Sequence, residues 1–339
     1  MTLPNFFDFT LSTTTISAHV LLMRAIHKLQ TCVQPGGIPR RQDDGSPQPS
    51  EKTVAFIRNA VVRFAAWVAG LQASAQKHHD RHELTVDQMD VPPLDILMVW
   101  HAYMLAPVTY EKDSLSGAGL QLLTHMPLDK IAALIDEVSY DFVASVEQSQ
   151  AWRDLTGMPF DCLAAHRYDH DATLQIASID LVQAVMRQSS SIGRMIQEAS
   201  VYEENGLPWS QATNRYIRFM CLPLGNYVPP VDVDIIWHTH QLKGKQYRED
   251  CTKYFGRVIN HDDSQPTAVI KKGHQMMNEK ASLLFDNEET RIAVFAVFTS
   301  TPAKDSDSER GNNGGEGGNG SGGGKPTCGG PPDGCIRSF

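Results

Sequence analysis

Residues 228–242 read Val228-Pro229-Pro230-Val231-Asp232-Val233-Asp234-Ile235-Ile236-Trp237-His238-Thr239-His240-Gln241-Leu242, and the chain runs on to Tyr247, Asp250 and Cys251. An earlier stretch, 91–114, repeats it. With Trp100 set against Trp237 and no gap, Val91, Pro92, Pro93, Asp95, Trp100, His101, Leu105, Tyr110 and Asp113 meet Val228, Pro229, Pro230, Asp232, Trp237, His238, Leu242, Tyr247 and Asp250. Nine of 24 positions are identical. Trp, His and Tyr are uncommon residues, so the match points to an internal duplication. Trp237 follows Trp100 by 137 residues, far beyond the roughly 20–50-residue period of stacked repeats, and two half-domains follow.

The decisive question is whether 231–242 is helix or strand. As a helix, positions three and four apart share a face. His238 then lies with Asp234, Ile235 and Leu242, while His240 points nearly the opposite way. In the first copy His101 lies with Leu97, Met98 and Leu105. As a strand, Asp232, Asp234, His238 and His240 would line one side, a good arrangement for zinc or another divalent metal and for a metal-dependent hydrolase. The apolar run of about a dozen residues, and the Leu, Met and Ala of the first copy, favour the helix.

On that helix Asp234 can hold the His238 ring as its i,i+4 partner. The first copy has Leu97 there, and Tyr103 in place of His240. A histidine on an apolar helical face is ordinarily a core residue that donates a ring N–H to a buried acceptor. Trp100 and Trp237 are read as core anchors. Tyr110 with Asp113, and Tyr247 with Asp250, are i,i+3 pairs placed to bridge back to the histidines as a buried polar keystone. The motif and candidate binding residues are therefore Asp95, Trp100, His101, Tyr110, Asp232, Asp234, Trp237, His238, His240, Gln241, Tyr247, Asp250 and Cys251, with no catalytic residue assigned. The metal alternative centres on His238, His240, Cys251 and His261.

These residues resemble the glycine-rich domain-containing protein-like family, known in plants and fungi. The resemblance rests on Pro229-Pro230, Asp232, Ile236-Trp237-His238, His240, Gln241-Leu242, Tyr247 and Asp250-Cys251. It continues into Phe255-Gly256-Arg257 and His261-Asp262-Asp263, and takes in Tyr216-Ile217-Arg218-Phe219 upstream. The first copy matches in Pro92-Pro93, Asp95, Val99-Trp100-His101, Leu105-Ala106-Pro107 and Tyr110. It covers residues 50–290. The resemblance implies no established enzymatic activity. It implies links to development, hormone and stress responses, with RNA binding suggested for some members.

Composition is that of an ordinary soluble chain, and a net charge of −9 with a pI near 5.8 disfavours RNA or other nucleic acid, whose phosphates call for clustered Lys and Arg. No RNP-type string, P-loop, dinucleotide fingerprint, nucleophile elbow or zinc-protease helix occurs. Cys32, Cys162, Cys221 and Cys251 are isolated and read as reduced thiols. Cys328 and Cys335 read as a free flexible pair. Met1–Phe7 lacks a basic start and a sustained apolar run, so no secretory leader is expected. No stretch is expected to reach the roughly 18 apolar residues needed to span a membrane. A cytoplasmic or nuclear location follows, without membrane association.

Along the chain, 1–49 is expected as an N-terminal helix (17–33) and a Pro/Gly-rich loop. Residues 50–175 form the first half-domain. It opens on a long helix whose stripe is Val54, Ile57, Val61, Phe64, Val68 and Leu71. His78, His79 and His82 read as its solvated end. An amphipathic helix is predicted over 127–148 from Ile131, Leu134, Ile135 and Val138. Residues 151–172 read as a loop carrying His166 and His170. The second half-domain, 176–299, holds helices near 179–203, 210–221, 247–256 and 267–286 and a short β run over 291–299. The Gly-rich tail, 300–339, cannot offset its ordering entropy and is expected to be disordered. The fold class is mainly α, and the expected function is a regulatory or stress-related interaction module with a protein partner. Metal binding or metal-dependent hydrolysis is the alternative.

Overall fold

The computed structural model describes residues 11–33, 50–77, 85–115, 119–164, 177–223, 225–280 and 336–338. Those residues form eleven α-helices and one two-stranded sheet. The helix reading of both motifs holds. Leu94–Met104 (α3) and Val231–Gln241 (α9) are helices opened by the second proline of each pair. A proline already set in extended φ/ψ serves as a stiff entry to a helix. Every residue of α3 is buried, and on α9 all but Val231 are. Neither helix therefore has a solvated face, which is why neither shows a clean amphipathic period.

The other elements wrap these two. Thr13–Val33 (α1) packs on Leu181–Glu204 (α7), on Leu128–Ala132 (α5), and on α3 and α9. Glu51–Lys77 (α2) covers α3 and touches Val146–Thr156 (α6), and Trp209–Met220 (α8) covers α9. Pro107–Ser114 (α4) and Lys245–Phe255 (α10) follow the two motif helices. The chain closes with Asn260–Asp262 (β1), Thr267–Lys280 (α11) and Ile336–Ser338 (β2). One hydrophobic cluster takes in both motif helices, from Ile16 on α1 through Trp100 to Trp237 and Met277. The N-terminal helix is thus not an appendage: ten of its residues are buried, and it packs against both motif helices.

Three readings are corrected. The helix predicted over 127–148 stops at Ala132. The Asp136 carboxylate accepts the backbone N–H groups of Val138 and Ser139 at 3.0 and 2.6 Å, and Ile135 bridges Phe142. A short polar side chain that bonds its own backbone competes with the helix. Ile131 and Ile135 stay buried, while Val138 is 88% exposed. Second, part of the loop placed at 151–172 is α6, capped by Ser145, which accepts from the Gln148 N–H while the Gln148 side chain accepts from the Ser145 N–H, and ended by Gly157 at φ +71°. That capping box is readable in sequence. Third, Glu51–Gln76 of α2 is long and apolar enough to cross a membrane by length and hydropathy. It carries Arg63 buried in the core against α3, so we assign it as a core helix.

Within the tail, Ile336–Ser338 pairs antiparallel with Asn260–Asp262. The β run at 291–299, the histidines at 78, 79, 82, 166 and 170, Cys328 and Cys335 lie outside the described residues.

Candidate functional site

The two motifs make the same contacts at matched positions. Trp100 Nε1–H donates to the Tyr110 hydroxyl at 3.0 Å, which donates to the Leu123 carbonyl at 2.8 Å. Trp237 Nε1–H donates to the Tyr247 hydroxyl at 3.0 Å, which donates to the Ile259 carbonyl at 2.6 Å. A buried indole N–H needs an acceptor and a buried carbonyl needs a donor; one tyrosine serves both. Each Trp-to-Tyr spacing of ten residues spans the turn between a motif helix and its follower, and so fixes α3 to α4 and α9 to α10.

The aspartates opening the motif helices are also matched. Arg63 Nε donates to Asp95 at 2.7 Å, and its remaining N–H groups reach the Pro159 and Phe160 carbonyls. Arg215 Nε donates to Asp232 at 2.7 Å, and Tyr202 donates to the same carboxylate oxygen at 2.8 Å. All of these side chains are buried. Burial pushes the Asp95 carboxyl up, against the pull of the Arg63 guanidinium beside it.

Tyr103 and His240 occupy one aligned position and do one job. The Tyr103 hydroxyl donates to Asp113 at 2.6 Å, and His240 Nε2 sits 3.0 Å from Asp250. Tyr103 thus supplies at its position the donor that His240 supplies at the aligned one. The Tyr216 hydroxyl lies 2.8 Å from His240 Nδ1. Asp113 also accepts from Ser178, which pulls its carboxyl below the usual range despite burial.

The histidines that face inward meet. His101 and His238 stand edge to face with ring centroids 6.5 Å apart, and His19 from α1 and His261 from β1 flank them. Burial, reinforced by the neighbouring imidazoles, pushes His101 down to about 4 and holds His238 and His19 well below the ordinary histidine value. Burial also lowers His261, against the nearby carboxylates. Of the sequence-stated metal candidates, His238 and His261 come together with Asp234. His240 is turned away to Asp250, and Cys251 is buried on α10 beside Tyr247. Gln241 is buried, with neither its amide oxygen nor its nitrogen hydrogen-bonded among the described residues.

Among the polar residues of this core that the sequence reading did not single out are His19, Arg63, Arg215 and Glu198. Glu198 is 3% exposed on α7, and its Oε2 has no hydrogen-bond partner among the described residues. Burial and then the Asp232 carboxylate push it up to about 7 from 4.5, with Arg215 opposing. Its folded value lies above its unfolded one, so the folded chain binds the extra proton between those values. Stability then falls as pH rises through that window. Glu198→Gln is expected to flatten this slope and to stabilise the chain at pH 8 by about 1–3 kcal/mol. Urea denaturation of both proteins at pH 5 and pH 8 checks it; parallel pH dependences would contradict the assignment.

These features define a helical domain whose polar signature is internal: two motif helices locked by Trp–Tyr, Arg–Asp and imidazole contacts. Residues 134–250 match the family described as glycine-rich domain-containing protein-like. The first motif precedes the matched segment. The chain is 33% identical over 187 residues to glycine-rich domain-containing protein 2 of Arabidopsis thaliana, covering 51% of this chain and 22% of the relative. It is 30% identical over 183 residues to glycine-rich domain-containing protein 1 of the same plant, again covering 51% and 22%. The matched part is thus under a quarter of each relative's length. No solved structure matches the chain.

Proposed function

We propose that the chain is a non-enzymatic interaction module, of the regulatory or stress-related kind, that binds a protein partner through its outer surface. The observation that carries this reading is where the motif side chains go. Trp100, His101, Trp237 and His238 are each 1% exposed or less, and they face the buried partners Tyr110, His19, Tyr247 and His261 in turn. A catalytic base must reach the proton it abstracts, whereas these groups sit in the seam between two helices. The contacts recurring at matched positions in the two motifs support the duplication read from the sequence, and with it a scaffold of two related halves. The net charge of −9 supports protein over RNA as partner.

The test exchanges one motif donor for another. Tyr103→His keeps an N–H directed at Asp113. Proximity labelling with the full chain in its own cells should then recover the same proteins for variant and wild type, provided circular dichroism shows an intact fold. Loss of those proteins from a folded variant would sink the reading. So would tight binding of uridine-rich single-stranded RNA at about 0.15 M salt, where a chain of net charge −9 should fail to bind.

A further inference from the structure

Four imidazoles from four elements meet between the motif helices: His19 of α1, His101 of α3, His238 of α9 and His261 of β1, none more than 3% exposed. Their hydrogen bonds fix where two of the protons lie. His261 Nδ1 is 2.7 Å from the Leu105 carbonyl. A carbonyl only accepts, so Nδ1 carries the hydrogen and Nε2 presents a lone pair. His19 Nδ1 is 2.8 Å from the Thr239 hydroxyl, which itself donates to the Ile235 carbonyl at 2.7 Å. Thr239 therefore accepts from His19, whose Nε2 also presents a lone pair. Outer contacts of this kind, Nδ1–H to an oxygen acceptor, are how proteins orient an imidazole whose other nitrogen binds metal.

Both lone pairs point at another ring nitrogen. His261 Nε2 faces His238 Nε2 at 2.9 Å, and His19 Nε2 faces His101 Nε2 at 3.0 Å. A neutral N–H···N bond can account for each pair alone. The two pairs differ in one respect. Asp234 lies one turn before His238, with its Oδ1 3.4 Å from His238 Nε2, and the first copy has Leu97 at that position. The donor atoms of Asp234, His238 and His261 all lie within 4.8 Å of one another. Ligand atoms about 2.0–2.1 Å from a tetrahedral zinc stand about 3.3–3.4 Å apart. The spacings of 2.9 and 3.4 Å about His238 Nε2 need little opening to reach that geometry.

We propose that Asp234, His238 and His261 bind one divalent transition metal of the zinc class, with His101 the nearest further imidazole. Two neutral nitrogens and a carboxylate suit zinc, and cobalt or nickel as substitutes. The burial makes the role structural. The ion would join α9 to β1, whose His261 is already tied to the end of α3 through Leu105. A site this deep fills as the chain folds. The inference does not depend on the interaction-module reading, since a structural metal would serve an enzyme or a scaffold alike.

The test uses the full chain without a polyhistidine tag, expressed with zinc supplied. Mass-spectrometric metal analysis should find about one zinc per chain, falling at least tenfold in His261→Gln and Asp234→Asn. His240→Gln, whose ring faces Asp250 instead, should keep the zinc. If His261→Gln fails to fold, the wild-type chain refolded with cobalt(II) decides the matter by the visible d–d absorption of a low-symmetry nitrogen–oxygen site. Wild-type chain with metal below about one-tenth of an equivalent and no cobalt absorption would overturn the proposal. So would metal that His261→Gln and Asp234→Asn leave unchanged in folded protein.

Discussion

Asp95→Ala is expected to destabilise the chain by about 3–5 kcal/mol, because it leaves a buried guanidinium without its counter-charge. Arg63 and Asp95 are both 1% exposed or less, and two guanidinium nitrogens face the carboxylate, at 2.7 and 3.4 Å. Arg63 also lies over the Trp152 ring at 5.3 Å, which holds it in place and denies it an escape to solvent. Asp95 sits in the first turn of α3, where the helix dipole adds to the attraction for a carboxylate. Replacing both partners should cost far less than replacing one. Paired substitutions Arg63→Met and Asp95→Leu are expected to recover most of the loss, since no charge is then left unpaired. Urea denaturation of the two singles and the double closes the cycle. A loss below about 1 kcal/mol for Asp95→Ala would mean that water reaches the guanidinium, and the keystone role would fall.

That pair also shows why the fold was more legible than its polar core. Apolar spacing and the proline pairs located α2, α3, α7, α8, α9 and α10 in the sequence, because period and entry signals are local. The Arg–Asp contacts are not local. Arg63 stands 32 residues before Asp95, and Arg215 stands 17 before Asp232. The gapless alignment that exposed the motifs therefore passes over their arginines. His19 lies 82 residues from the ring it meets, on a helix with nothing nearby to mark it. The i,i+4 pairing of Asp234 with His238 was readable because a helix places those positions together. The job shared by Tyr103 and His240 was not, since it appears only when Asp113 and Asp250 are seen to accept from them. The overextended helix at 127–148 failed for a related reason. Ile131, Leu134 and Ile135 satisfy the helical period, but the Asp136 carboxylate closes a turn after them that no hydrophobic count registers.

Trp237→Ala is the second large loss, expected at about 3–5 kcal/mol from the lost transfer energy and the cavity left behind. Trp237 is fully buried, with Phe219 at 5.6 Å on one side and His261 at 5.0 Å on the other, measured between ring centroids. Few neighbours can collapse into the space. Tyr247 and His261 are held by hydrogen bonds to the Ile259 and Leu105 carbonyls, and α9 is covered by α8 and α7. Trp237→Phe separates volume from the polar contact. It keeps one aromatic ring and removes the N–H, while Tyr247 can still donate to Ile259. The Phe variant should therefore lose about half as much as the Ala variant or less. Trp100→Ala should behave as Trp237→Ala does, because Trp100 has the equivalent bond to Tyr110 and an edge contact with Trp67 at 5.5 Å. Far-ultraviolet circular dichroism in urea reads all three variants without relying on the fluorescence of the tryptophan removed. Equal losses at the two sites, in one cooperative transition, would follow from a single core that both motif helices share. A second transition appearing in one variant alone would instead show that the halves unfold separately, and that the seam between the histidines is weaker than the anchors on either side of it.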